Sequence, residues 1–235
     1  KKLNKIDFFI IKPAHHKILY LCLIKFLCPC LTFRIISVTI ILSRPKTFKD
    51  KFIAYLKSTL LKNVSFFIIF MKDFSGYNKY YGIELEKLIY IPFKVNGYPK
   101  IFEIKTSDEN YIFTGGRSKR DYNTFLEAAK DTPYQYILLV PPNDKSKNHG
   151  TILDYTKVPK NVKVIHDDGT HESWMSYMSR CSLVVLPIQS ETISPTGVST
   201  YIQAMALKKC VIITECPATK DILSQDLAVT VPPQD

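Results

Sequence analysis

The chain has 235 residues, 46% hydrophobic and 23% charged, an ordinary globular balance, and its net charge of +11 is confined to the first part. Residues 1–100 hold 18 Lys and Arg against 5 Asp and Glu, whereas residues 101–235 hold 14 against 16. No zinc-finger, RNP or basic-zipper pattern accompanies the lysines, so no nucleic acid is expected. The Phe, Tyr, Leu and Ile interleaved with them favour peripheral membrane contact through residues 1–100, with a solvated basic face as the plainer alternative.

Taken in order, Ile6–Ile11 reads as a buried strand and Lys12–His16 as the loop after it. Lys17–Leu27 is apolar nearly all round and predicts a buried helix. The apolar stretch Ile18–Leu42 is not a membrane span. Lys25 and Arg34 interrupt it, at about 2.5–3.5 kcal/mol each near a bilayer centre, and Pro29 breaks its middle. Phe33–Leu42 is rich in β-formers. Thr47–Leu61 places Phe48, Phe52, Tyr55, Leu56 and Leu60 near a period of 3.6, predicting an amphipathic helix with its lysines outward. A strand at Ser65–Met71, a short helix through Tyr81 and a last strand before Phe93 complete the alternation. Residues 94–109 are polar, contain Gly97 and Pro99, and fit a linker.

The second half repeats the alternation. Tyr111 opens a strand that ends at Gly115-Gly116. The cations Arg117, Lys119 and Arg120 follow, and then a helix carrying Phe125, Leu126 and Ala129. Strands are predicted at Tyr136–Val140 and Asn161–His166, and a helix with Trp174, Tyr177 and Met178 facing the core. Leu183–Pro187 is a continuous apolar strand. The polar loop after it leads to Thr196-Gly197-Val198-Ser199, where a second helix begins, and Cys210–Thr214 closes the βαβ unit. A helix N-terminus at the carboxyl edge of such a sheet can hold a phosphate, and glycine with arginine at a second strand-to-helix turn favours the same kind of anion. The six cysteines include no metal-type pair, and Cys28-Pro29-Cys30 lacks the two-residue gap. No structural metal and a reducing compartment are therefore expected, with Cys181 and Cys210 as small core residues.

The blocks TGGRSKRDYNTFLEAA, PTGVSTYIQAMALKKCVIITE and LAVTVPPQD, in that order, resemble the nucleotide-sugar-binding domain of the family 4 glycosyltransferases. The likeness covers about residues 85 to 235. It implies an α/β fold of two Rossmann-like parallel-sheet domains (GT-B), divided here as a partial, truncated acceptor-side domain at 1–93, the linker at 94–109, and a donor domain at 110–235 lacking its final helices. On that pattern about three further βα units would precede Lys1. It also implies sugar transfer from a nucleotide-diphosphate-sugar donor to a glycan or lipid-linked acceptor, with retention of configuration, no metal and no cofactor besides the donor.

Carried over residue by residue, Arg117 and Arg120 would stabilise the departing diphosphate, with Arg117 the leading candidate directly after the double glycine. Gly116, Lys119, Thr196, Gly197, Val198 and Ser199 would bind the donor's phosphates, and His166 with Asp167 would lie near the base. Members typically carry two glutamates with seven residues between them, the second just before Ala-Met-Ala. This chain has Pro195 and Gln203 there, so Gln203 would contact the ribose and Glu191 would substitute from earlier in the loop. His15-His16 is a candidate for orienting or deprotonating an acceptor hydroxyl. A cytoplasmic protein at the inner membrane face fits these readings. The alternatives are a degenerate GT-B protein without catalysis, or a basic membrane- or nucleic-acid-binding module.

Overall fold

A computed structural model describes residues 7–12, 15–141 and 150–234, excluding the His15 side chain. Ile6, Pro13, Ala14, most of the loop before Gly150, Asp235 and the proposed role of His15 lie outside the described residues; His16 is exposed in the first turn of its helix. The chain divides into two compact units. The first runs to Pro92 and includes Glu191–Pro195 and Lys220–Ile222; the second comprises Phe93–Ser190, Thr196–Thr219 and Leu223–Asp235. Residues 94–109, read as a linker, therefore pack within the second unit. Lys100–Glu103 forms a 3-10 turn that buries Ile101 in that unit's core, and the Ser107 and Glu109 N–H groups donate to the carbonyls of Ser179 and Arg180. Ile101, with Val95 and Ile104 packed against the same core, anchors a segment whose composition is otherwise that of a loop.

The first unit alternates β1 (Phe8–Ile11), α1 (His15–Leu27), β2 (Arg34–Val38), α2 (Phe48–Leu61), β3 (Phe66–Ile69), α3 (Ser75–Tyr81) and β4 (Leu88–Tyr90). The strands are parallel in the order β1-β2-β3-β4, with Phe9 opposite Ile35 and Phe67 opposite Leu88. Ile35, Phe67, Ile69 and Leu88 point to one face. They meet Ile18 and Cys22 of α1, Ala54 and Leu61 of α2, and Tyr77 and Tyr81 of α3. Successive right-handed crossovers in one direction put all three helices on that side. The opposite face keeps Phe8 and Ile10 at 53% and 60% exposure, with Phe66 and Ile89 also exposed. Among the described residues no helix covers it, although parallel sheets are as a rule buried on both faces.

Two of the first unit's three helices, α1 and α2, depart from expectation. α1 buries Ile18 and Cys22 but exposes Tyr20, Leu23, Phe26 and Leu27. α2 turns Ala54 and Leu61 inward and leaves Phe52, Tyr55, Leu56 and, at 88%, Phe48 in solvent. The 3.6 period fixes the spacing of an apolar stripe but not which arc meets the sheet. Here the small Ala54 allows close approach. The start of α2 is fixed locally: the Asp50 N–H donates to Thr47 Oγ1, and the Thr47 N–H donates to the Asp50 carboxylate.

The second unit contains β5 (Tyr111–Gly115), α4 (Tyr122–Lys130), β6 (Gln135–Val140), β7 (Val162–His166), α5 (His171–Arg180), β8 (Leu183–Leu186), α6 (Val198–Ala206), β9 (Cys210–Thr214) and β10 (Val229–Val231). Its parallel order, β10-β9-β8-β5-β6-β7, is doubly wound, and the direction of winding reverses between β5 and β8. α4 packs Phe125, Leu126 and Ala129 on Tyr136, Leu138 and Val140 of one face. α5 and α6 pack Met175, Met178, Val198, Tyr201 and Ala204 on Phe113, Leu139, Val184, Leu186 and Ile213 of the other. Trp174 and Tyr177 border this core and Cys181 is buried in it, as expected. Cys210 instead is exposed: it opens β9 at the edge of its apolar run, beyond the reach of the helices.

Candidate functional site

In a doubly wound sheet the loops at the carboxyl ends of the two strands flanking the reversal diverge and leave a crevice. Here those strands are β5 and β8, and their loops carry the two glycine turns. Gly115 ends β5, where a Cβ would lie 2.8 Å from the Leu139 carbonyl and 2.9 Å from the Trp174 ring. Gly116 has φ +129°, and a Cβ there would come within 2.6–2.8 Å of the Arg120 guanidinium. The turn between them and α4 is pinned to the end of β8. Asp121 N–H donates to the Pro187 carbonyl at 3.0 Å, Gln189 N–H to the Lys119 carbonyl at 3.0 Å, and Gln189 Nε2 to the carbonyls of Arg120 and Gly150. Asp121 caps α4, accepting from the Thr124 N–H and hydroxyl.

This scaffold buries Arg120 to 3% exposure. Its Nε donates to the Gly115 carbonyl at 2.9 Å, Nη1 to the Ser118 carbonyl at 3.1 Å and Nη2 to Thr200 Oγ1 at 3.3 Å. Three of its five N–H groups are thereby used. Among the described residues no carboxylate forms a salt bridge with it. Burial pulls its pKa below the ordinary value, yet a guanidinium remains charged across the physiological range. A buried guanidinium is costly without a counter-charge, and none is paired with it among the described residues.

The second donor group converges on it. α6 starts at Gly197, which has φ +87° and no side-chain cap. Its carbonyl accepts from the Thr200 and Tyr201 N–H groups at 3.0 Å, leaving the preceding Val198 and Ser199 N–H groups at the open helix end. A Cβ on Gly197 would lie 4.0 Å from Arg120 Nη1, so the helix N-terminus and the guanidinium adjoin the same point. Thr196 and Val198 are buried beside it and Ser199 is half-buried.

The remaining sequence-derived candidates lie elsewhere. Arg117 is partly exposed and reaches toward the β7–α5 loop, 3.7 Å from the largely buried Asp167, whose other oxygen accepts from the Gly169 N–H. Of the two arginines, the structure places Arg120 at the helix end. Lys119, at φ +52°, lays its side chain over Gly150. His166 is exposed and stacks on Tyr155 at 6.2 Å. Gln203 is 4% exposed on α6 and shares a hydrogen bond with His171, its Nε2 3.1 Å from the imidazole Nε2. Glu191 belongs to the first unit and is engaged by Lys46. Thr200 and His171 were not singled out from the sequence. A threonine one turn into a helix that follows glycine was the available signal for Thr200; nothing comparable marks His171.

No protein family and no curated protein is matched by the sequence. Solved structures do match. HepE from Anabaena in complex with UDP aligns with a TM-score of 0.70 at 14% identity, over 99% of this chain and 66% of that one. The same protein with UDP-glucose gives 0.67 at 12%, again over 99% and 66%. The apo lipopolysaccharide outer core galactosyltransferase WaaB gives 0.60 at 11%, over 99% and 64%. The chain thus spans just under two thirds of these structures, and the likeness is one of fold: two parallel-sheet units of the GT-B kind.

Proposed function

We propose that the protein is a nucleotide-sugar-dependent glycosyltransferase whose second unit holds the donor's diphosphate between Arg120 and the N-terminus of α6. The observation that carries this reading is the buried guanidinium, without a carboxylate partner among the described residues, adjoining an uncapped helix end at the sheet's switch point. HepE, similar in fold, was solved with UDP and with UDP-glucose, which makes a uridine diphosphate sugar the first donor to test. In the proposed reaction an acceptor hydroxyl bonds to the anomeric carbon from the face that the nucleoside diphosphate leaves, giving retention. The C–O bond to the β-phosphate breaks, its electron pair stays on the departing phosphate, and the acceptor's hydroxyl proton passes to an oxygen of that phosphate. Arg120 and the Val198 and Ser199 N–H groups stabilise that charge without a metal. Arg117, on the β5–α4 turn and held toward Asp167 of the β7–α5 loop, supplies a second cation, and Gln203 offers its amide to a ribose hydroxyl. The proposed acceptor is a glycan or a lipid-linked glycan, reached at the cytoplasmic face of a membrane through the basic first unit.

One set of observations favours the degenerate reading. Pro195 and Gln203 stand where family members carry glutamates, and the carboxylate of Glu191 is engaged by Lys46. Melting with UDP, GDP, ADP and their glucose conjugates, followed by assay of donor hydrolysis, separates the two. A ligand at a hundred times its dissociation constant adds about 2.7 kcal/mol of stability. A shift with turnover supports the transferase, a shift without turnover supports the degenerate protein, and no shift overturns the donor site.

A further inference from the structure

The outer side of the first unit's helix layer is the least expected surface of the molecule. α1 presents Tyr20, Leu23, Phe26 and Leu27 to solvent, and the adjacent α2 presents Phe48, Phe52, Tyr55 and Leu56. Along α2 the residues at 48, 52 and 56 form one stripe, since positions four apart stack on the same face. Cations accompany the aromatics: Lys17 on α1 and Lys49 and Lys51 on α2 are exposed. The only acidic residue on the two helices is Asp50, and its carboxylate accepts from the Lys46 and Thr47 N–H groups at the helix start. Large apolar side chains clustered on the exposed faces of two packed helices mark an interaction site.

We propose that the outward faces of α1 and α2 form a docking surface for an anionic phospholipid bilayer. This deepens the membrane contact suggested above and gives it a location. Phe48, Phe52, Leu56, Leu23 and Leu27 enter the boundary between headgroups and acyl chains, about 5–10 Å deep for a helix lying in the interface. Tyr20 and Tyr55 keep their hydroxyls at headgroup level, and Lys17, Lys49 and Lys51 meet lipid phosphates. No helix among the described residues is long and apolar enough to cross a membrane, so the contact lies in the surface plane. The charge distinguishes this face from the bare sheet face of the same unit, whose outward side chains are apolar apart from Arg34 at its edge.

Flotation of the 235-residue protein with vesicles of phosphatidylglycerol and phosphatidylcholine, against phosphatidylcholine alone, tests the surface. Binding to the anionic vesicles is expected, weakened by salt and by Lys49→Glu/Lys51→Glu. Phe48→Ser/Phe52→Ser/Leu56→Ser, at exposed positions that leave the core intact, is expected to weaken it by about tenfold or more. Equal binding by the serine variant and the parent overturns the proposal, as does failure to float with either vesicle. Lipid-free self-association that the serine variant abolishes, with no flotation, assigns the face to a second copy instead. UDP affinity is measured on the same proteins. Flotation without UDP binding leaves this surface standing while the donor-site reading falls, and the reverse result separates them the other way.

Discussion

The two units use one architecture and place charge in opposite ways. Among the described residues, the first keeps its lysines on the outside, buries only neutral side chains under a single helix layer, and leaves apolar surface on both outer sides. The second is layered on both faces and buries one guanidinium where its winding reverses. On the readings proposed above, the enclosed cation and the uncapped helix end suit a particular anion, and the cations scattered among exposed aromatics suit a diffuse one.

The comparison breaks most sharply at Arg120. Arg120→Ala strands the Gly115 and Ser118 carbonyls and is expected to cost about 3 kcal/mol by denaturant unfolding, together with all nucleotide-induced stabilisation. An unchanged UDP shift would remove the guanidinium from the site. Gly116→Ala drives a methyl into that guanidinium and strains a φ of +129°; a loss of about 1–3 kcal/mol is expected, with weakened UDP binding in calorimetry. Gly76→Ala tests the first unit alone. Its Cβ would lie 2.7 Å from Ile193, and overpacking of about 1–3 kcal/mol should appear as faster hydrogen exchange there, with UDP affinity unchanged.

Smaller effects come from the start of α2. Thr47→Ala removes half of the capping box and is expected to cost about 1 kcal/mol in the urea midpoint. Asp50 gives the least. Hydrogen bonds from the Thr47 backbone and hydroxyl hold its carboxyl below the usual carboxylate range. Its stabilisation is therefore complete above the unfolded value of about 3.9 and is lost as pH falls through the lower folded value. Asp50→Asn should flatten only this acid limb, as followed by urea unfolding across the acid range.

The sequence by itself determined the alternation of strands and helices, the glycine turns after β5 and β8, and the start of α2 at Thr47. These depend on neighbours within a turn or two of the chain, where periodicity, φ preference and capping act. Tertiary structure decided the rest. Which arc of α2 faces the sheet depends on how closely Ala54 can approach. Whether residues 94–109 link or pack depends on a pocket for Ile101. The roles of the two arginines depend on distant partners: Arg120 is enclosed by Thr200, eighty positions away, while Arg117 is drawn to Asp167. Glu191, expected from its place in the β8–α6 loop to substitute for a family glutamate, packs with the first unit beside Lys46. Burial and pairing are properties of segments brought together from far apart, and no local pattern records them.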